Sequence, residues 1–467
     1  MIDPRQASLC ALAALLAAGS ATATPLPHDF AQDTARAAPA WAREGVIYEV
    51  WERAFSRAGD FDGITARLAD LKELGVDILW LMPVNPIGQQ GHKGTVGSPY
   101  AVRDYYGINP AYGTAADLKK LVARAHGLGM KVIVDVVYDH TAWDNALVTK
   151  RPELYHHDPQ GHILSPEDWT DVAWLDYGRP ELRQYATDAL AYWIREFDLD
   201  GLRCDVAFMV PTDFWEAARR VLERVKPDLF MLAEAEEPSL VVRAFDSFYG
   251  WQVYHAVDDA IAARRPATAV REAWAKEKAR MPKGALAMRI SDDHDEMRAV
   301  ARLGWQGALA AQALTFALDG MPLVYNGMEI CDTGESAAPA LFESVAILWE
   351  MRGKRLECGR FYRKMLALRR ADPAMRSGAL TWLDNSAPEQ VVSLLRSAGR
   401  NQTVVLVNTS SSALTVKLVG PRLAPSALDV TPDLTTDAVP APRSASLDAV
   451  NLGPWGFRIL SLRSRSP

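Results

Sequence analysis

Lys131-Val-Ile-Val-Asp-Val-Val-Tyr-Asp-His140 runs almost unbroken through apolar residues and turns polar only at its C-terminal end. A run of that kind reads as a strand covered on both faces, which is the habit of parallel sheets. The same texture recurs before it, in Val76-Asp-Ile-Leu-Trp-Leu-Met82, and after it, in residues 201–206, 229–233, 244–249, 285–290 and 323–325. Residues 46–51 open the series. Between these runs stand longer stretches with helical spacing, among them 64–74, 115–128, 180–196 and 212–225. Strand and helix in alternation mean βαβ units. Eight strand runs predict a closed (β/α)8 TIM barrel. An open doubly wound sheet is the alternative, disfavoured because no G-x-G-x-x-G follows the first strand.

Two segments break the rhythm. Residues 139–179 are rich in His, Asp, Pro and Trp without a helical period, too long for a plain connection. They predict a short inserted domain after strand 3, between barrel halves at 44–138 and 180–374. Residues 375–467 change to short β-rich runs with turns and predict a C-terminal antiparallel β-sandwich.

At the other end, an apolar run at residues 9–19 lies behind Arg5 and before Ala21-Thr22-Ala23. That pattern predicts a signal peptide at 1–23 and export to the periplasm or medium, followed by a linker at 24–43. The run is too short to span a membrane, which takes about 20 apolar residues.

The 467 residues are 49% hydrophobic and 23% charged, the balance of a soluble protein with a sizeable core. A net charge of −7 argues against a nucleic-acid partner. The 14 Trp and 14 Tyr suit stacking on sugar rings or bases, although most buried aromatics are simply core. Of the four cysteines, Cys10 falls in the signal; Cys204, Cys331 and Cys358 have no metal-like spacing, and whether Cys331 pairs with Cys358 stays open.

In a barrel the chemistry sits at the C-terminal ends of the strands. There the chain places Asp135 and Asp139-His140, then Arg203 and Asp205, then Glu234, then Asp292-Asp-His-Asp295. Asp205 and Glu234 lie one helix and one strand apart, so they end neighbouring strands about 4.8 Å apart. Two carboxyls about 5–5.5 Å apart form the retaining-glycosidase pair, whereas inversion needs a wider gap. Arg203, two residues before Asp205, shares its face of the strand and is expected to keep Asp205 ionised. Glu234, with Glu236 and Glu237 close by, is expected to have a raised pKa, as a general acid needs. A single carboxylate at a strand end is usually a helix cap or a solvated charge; the convergence of several is the signal.

Asp135-x-x-x-Asp139-His140, Gly201-x-Arg203-x-Asp205, Ala233-Glu234, Asp293-His294-Asp295 and Gly320-x-Pro322-x-x-Tyr325-x-Gly327-x-Glu329 occur in this order. Taken together they resemble the motifs of the α-amylase family, glycoside hydrolase family 13, over about residues 44–408. The resemblance implies a retaining hydrolase of α-glucosidic bonds, α-1,4 in starch or maltooligosaccharides. It implies Asp205 as nucleophile, Glu234 as acid/base and Asp295 as the group that holds the sugar hydroxyls and steadies the transition state. His140 and His294 would bond the same ring as neutral donors, Arg203 would orient Asp205, and Tyr100 would stack beneath the sugar. Asp139 and Asp293 stand where the family usually has Asn. The first of those Asn positions often ligates calcium, so calcium is expected near Asp139 with Asp176 or Asp171, and no organic cofactor. Val206-Ala-Phe208-Met209 replaces the Lys-His common in starch-cleaving members, which makes the leaving-group side more apolar.

The rival readings are an exo-acting α-glucosidase or glucosyltransferase of the same family, and a non-catalytic glycan-binding protein on the same scaffold. The presence of all three acids weighs against the second. A nucleotide-binding protein is disfavoured because no Gly-rich phosphate loop follows any strand.

Overall fold

The computed structural model describes residues 28–334, 338–419, 428–435 and 447–464. Eight parallel strands close into a barrel: β1 (Ile47–Val50), β2 (Ile78–Leu81), β3 (Lys131–Val136), β6 (Gly201–Cys204), β7 (Phe230–Ala233), β8 (Ser247–Tyr249), β9 (Leu286–Arg289) and β10 (Met321–Tyr325). A short antiparallel pair, β4 (His140–Ala142) and β5 (Val172–Trp174), stands after β3 in the inserted segment.

Alternation along each strand divides the apolar residues into two cores. Ile47, Ile78, Trp80, Ile133, Phe230, Leu232, Met288 and Leu323 point inward and fill the barrel. Tyr48, Val50, Leu79, Val132, Val134, Leu202 and Met231 point outward against the helices. Both sets are buried, which is why these runs read as continuously apolar. Gly201 begins β6 without a side chain because a Cβ there would lie 2.3 Å from the Phe230 carbonyl of β7. The close approach lets β6 and β7 pair in the register that brings Arg203 opposite Leu232.

The helices carry local start signals. Thr114 and Asp117 form a reciprocal cap on helix Ala115–Gly127, and Pro180 opens helix Pro180–Phe197.

The C-terminal region contains a five-stranded antiparallel sheet in the order Ala379–Trp382, Val391–Ala398, Asn401–Asn408, Phe457–Ser464, Leu428–Thr435. Two short pairs, Asp384–Asn385 with Leu418–Val419 and Leu414–Val416 with Val450–Leu452, accompany it. The sheet is apolar on both sides. Val404 and Leu406 join a core with Val416 and Val450 of the short pairs, while Val405 and Val407 join the barrel's outer core. Arg396 fastens the two regions together. Its buried guanidinium donates to the carbonyls of Ala317 and Leu318 at the end of helix Ala299–Ala317 and to the carbonyl of Gly378.

Three sequence readings meet the structure here. Residues 1–23 lie outside the described residues. Residues 28–43, expected as the end of a linker, are docked on the barrel: Ala35 and Arg36 donate backbone N–H groups to Lys283 and Val241, and Arg36 ion-pairs with Asp246 at 3.1 Å and also with Glu223. A polar, Pro- and Ala-rich composition disguises that anchorage, which depends on one arginine finding two distant carboxylates. Cys331 and Cys358 form a disulfide, whereas Cys204 is a free, buried thiol on β6.

Replacing Arg396 by Ala strands three buried carbonyls, each costing about 1–3 kcal/mol. Chemical denaturation should show the variant destabilised by at least about 3 kcal/mol; an unchanged midpoint would mean that the barrel and the sheet do not depend on this residue.

Candidate active site

The inward-facing set changes from apolar to charged at the C-terminal end of the barrel. Above Ile133 on β3 comes Asp135, above Gly201 on β6 come Arg203 and then Asp205, and above Leu232 on β7 comes Glu234. Arg203 is fully buried and sits at the centre. Its Nη1 donates to Asp135 Oδ1 at 2.9 Å and to Asp205 Oδ1 at 2.7 Å, its Nη2 ion-pairs with Glu234 Oε1 at 3.0 Å, and its Nε donates to the Tyr249 hydroxyl at 3.2 Å. The rings of Trp80, Tyr100 and Tyr249 surround the guanidinium at 5.3–5.7 Å. One cation therefore gathers three carboxylates from three strands.

The second oxygen of Glu234 accepts the backbone N–H of Val206 at 2.7 Å. Val206 has φ 34°, a left-handed conformation that is strained for a β-branched residue. The chain turns sharply after Asp205, and the strained amide is the one that holds Glu234.

On the opposite wall, the Tyr100 hydroxyl lies 3.0 Å from Asp135 Oδ2 and 2.6 Å from His294 Nε2, and the Tyr100 ring stacks on that of His294. His294 Nδ1 lies 2.5 Å from Glu49 Oε1, and its Nε2 lies 3.2 Å from Asp295 Oδ2. Asp295 is the most open of the three expected catalytic acids, its side chain 37% exposed against 11% for Asp205 and 14% for Glu234. His140 Nδ1 bonds Asp139 Oδ2 at 2.7 Å. Asp205, Glu234, Asp295, Tyr100 and His140 line one cavity of about 330 Å³ together with Lys93, Trp169, Val206, Leu341 and Phe342. Arg203 and His294 stand behind that wall. All seven expected catalytic and sugar-binding residues thus converge on one place.

Burial decides the protonation states. The Asp205 carboxyl rises to about 6: Arg203 lowers it, as expected, but desolvation, joined by the nearby Asp135, outweighs that pull. Glu234 rises to about 8, through burial and then through Asp205 and Asp295. Glu236, expected to contribute, instead accepts from the backbone and side chain of Gln252. Asp293 is pushed well up by burial and by Asp295, while burial of Asp295 is more than offset by His294, which holds it low. The histidines, expected as neutral donors, have carboxylate neighbours that favour the charged ring. Burial disfavours the charged ring of His294, but Asp295 and Glu49 raise its pKa well above the ordinary value, and Asp139 likewise raises His140.

The calcium expectation meets a different donor set. Asp139, His140 and Asp205 are the described group whose ligand atoms lie within 4.8 Å of one another, and Asp139 Oδ1 is buried without a protein partner. Calcium takes six to eight oxygen ligands. This group instead offers an imidazole and an Asp205 already bonded to Arg203. Asp176 stands outside it, capping Gly178 and pairing with Arg179, and Asp171 pairs with Lys93. Asp139, His140 and Asp205 are thus a group that could hold a metal ion, while Asp171 and Asp176, expected to join Asp139, have basic partners of their own.

Sequence reasoning missed Glu49, Tyr249, Lys93 and the cavity residues Trp169, Leu341 and Phe342. Glu49 carried a signal, as a lone acid inside the strand Ile47-Tyr-Glu-Val50, the same anomaly that singled out Asp135.

Replacing Arg203 by Met leaves Asp135, Asp205 and Glu234 buried without their shared cation. Infrared difference titration should show carboxyl protonation moving to higher pH; an unmoved titration would mean that the guanidinium does not govern these acids.

The comparisons with known proteins agree with this geometry. The family model described as the alpha-amylase catalytic domain matches residues 26–171 and 167–388. A noncanonic maltogenic alpha-amylase from Thermotoga neapolitana is similar in structure, with TM-score 0.78 and 31% identity over 91% of this chain and 99% of that one. Among curated relatives, an alpha-amylase of Haloarcula japonica is 28% identical over 86% of this chain, and an intracellular maltogenic amylase of Bacillus subtilis is 26% identical over 74%. The chain spans 59% and 65% of those two relatives' lengths. The Bacillus relative is named as intracellular, and this overturns the expectation of an exported protein. The chain belongs to the alpha-amylase family, whose catalytic-domain model spans most of it.

Proposed function

We propose that this chain is a retaining glycoside hydrolase that cleaves α-1,4-glucosidic bonds of starch or maltooligosaccharides through a covalent glucosyl-enzyme intermediate. The observation that carries the reading is the shared Arg203. It holds Asp205 and Glu234 within 3.0 Å of one guanidinium, so the two carboxyls are close neighbours, as retention requires.

Asp205 is the nucleophile. Its carboxylate attacks the anomeric carbon while Glu234 passes its proton to the departing glycosidic oxygen. Water, deprotonated by Glu234 in turn, then releases the sugar with its original configuration. Asp295, ionised and open to the cavity, binds sugar hydroxyls and balances the positive charge that develops on the ring. Tyr100 and His140 form the wall against which the ring lies, and His294 stands behind it. Val206, Leu341 and Phe342 give the cleft an apolar side, which suits the hydrophobic faces of glucose units. The names of relatives support the substrate class, since they include maltogenic amylases and cyclomaltodextrinases.

Incubation with maltoheptaose, with product anomers followed by NMR from the first minutes, tests the reading. α-Anomers should appear first and vanish in Asp205→Ala. β-Anomers first would mean inversion, transfer products would mean a glucosyltransferase, and absence of turnover would leave a glycan-binding protein. The protonation states add a second expectation. Activity needs Asp205 ionised and Glu234 protonated, so kcat/KM should fall below about pH 6 and above about pH 8. A profile flat across that range would contradict these assignments.

A further inference from the structure

We infer that Glu49, buried beneath the site on β1, is a positioning residue that keeps His294 as a doubly protonated clamp on Asp295 and on bound sugar. The inference rests on the proposed function for its catalytic consequence and on hydrogen counting for its structural part.

Glu49 is fully buried and stands in register with Trp80 of β2 and Tyr325 of β10. Its Oε1 is 2.5 Å from His294 Nδ1, and its Oε2 is buried without a protein partner. A carboxylate bearing one hydrogen bond in a dry barrel persists only beside a cation. Arg203 is committed to Asp135, Asp205 and Glu234. Among the described residues, His294 is the basic group that ion-pairs with Glu49.

The proton count points the same way. Suppose His294 is neutral and donates from Nδ1 to Glu49. Nε2 is then a bare acceptor that takes the only hydroxyl proton of Tyr100 across 2.6 Å, and Asp135 Oδ2, 3.0 Å from that hydroxyl, receives nothing. Asp295 Oδ2, 3.2 Å from Nε2, would face a lone pair. With both nitrogens protonated, every contact has a donor. Nδ1–H donates to Glu49, Nε2–H donates between Tyr100 and Asp295, and the Tyr100 hydroxyl donates to Asp135. With Glu49 ionised, only the imidazolium closes the chain Glu49–His294–Tyr100–Asp135–Arg203; the neutral Nε2–H tautomer closes it only if the Glu49 carboxyl itself carries the proton and donates to Nδ1, with Nδ1 then unprotonated.

Other charged groups face this pair. Asp292 and Asp293 lie beside Glu49 and His294 after β9, and burial raises both, Asp292 to about 7 and Asp293 well above the usual carboxylate range, which lessens the negative charge they add. Glu52, just after β1, is raised in the same way. Tyr249 and Tyr325 face Glu49 with hydroxyls whose pKa values are pushed far up. Asp295 and Glu49 are the carboxylates that raise His294 most, and Asp135 and Asp293 also face it.

The consequence is chemical. An imidazolium clamped by Glu49 gives Asp295 a fixed cationic partner, which keeps it ionised and oriented while the oxocarbenium-like charge develops beside it. Glu49 touches neither substrate nor reacting atoms, and acts through His294.

The test is the Glu49→Gln variant of the full chain, which keeps the shape and an acceptor for Nδ1 but removes the charge. Side-chain ¹⁵N NMR, with His294 assigned through His294→Gln, should show both ring nitrogens protonated at pH 7 in the wild type and a lower His294 pKa in Glu49→Gln. kcat/KM on maltoheptaose should fall about 10–100-fold, the range seen when a partner behind a ligating histidine is removed. Glu49→Asp should recover part of the loss. In a His294→Gln background, Glu49→Gln should cost little more. A neutral His294 in the wild type, an unmoved His294 titration in the variant, or fully additive losses would overturn the inference. If Glu49→Gln does not fold, the wild-type ¹⁵N pattern and Glu49→Asp decide it. If the wild type turns over no glucan, the proposed function fails while the His294 titration still decides the protonation state.

Discussion

A single guanidinium, shut inside the top of a barrel, organises the chemistry of this protein. Arg203 binds carboxylates from β3, from the end of β6 and from the end of β7, and three aromatic rings keep water from it. Bringing three carboxyls together without it would leave most of them protonated, because desolvation and mutual repulsion both favour the neutral acid. With it, the acids stay close and still differ. Glu234 titrates well above Asp205, and Asp295 is held low by a different cation.

That difference is what catalysis by paired carboxyls needs, one ionised and one protonated at the same pH. It arises from three unlike surroundings on one rim. Asp205 lies closest to Arg203. Glu234 is held by the far side of the guanidinium and by the amide of a strained Val206. Asp295 is open to the cavity and backed by His294. A second charge chain, from Glu49 through His294 and Tyr100 to Asp135, ends on Arg203 itself. The two halves of the site thus share one electrostatic framework, in which moving a charge at one end alters proton affinity at the other.

Sequence reading went furthest where spacing alone carries the geometry. Arg203 and Asp205 lie two apart on one strand, and Glu234 ends the next strand, so their convergence needed only the period of a β-strand and the order of the barrel. Protonation was not legible in this way. Whether His294 is neutral depends on Glu49, a residue 245 positions away that β1 delivers only once the barrel closes. Asp205 was expected to be governed by Arg203, the charge visible two residues before it. Burial governs it instead, and burial is a sum over neighbours from every strand. Asp176 and Asp171 failed as partners for Asp139 for a related reason, since Arg179 and Lys93 reach them first. The docked segment around Arg36 went unread because its composition is that of a spacer while its anchors, Asp246 and Glu223, belong to distant elements.

What the sequence determined by itself is therefore the barrel, the strand ends on which the acids stand, and the family. Each depends on local periodicity and on residues close in the chain. What only the tertiary structure decided is the surroundings that shift proton affinities in the site, the donors gathered at Asp139, and the presence of Glu49 behind His294. Those depend on which groups are shut away from water together. Electrostatic energy in a dry interior is set by distance in space and by the loss of solvent, and neither is a property of position along the chain.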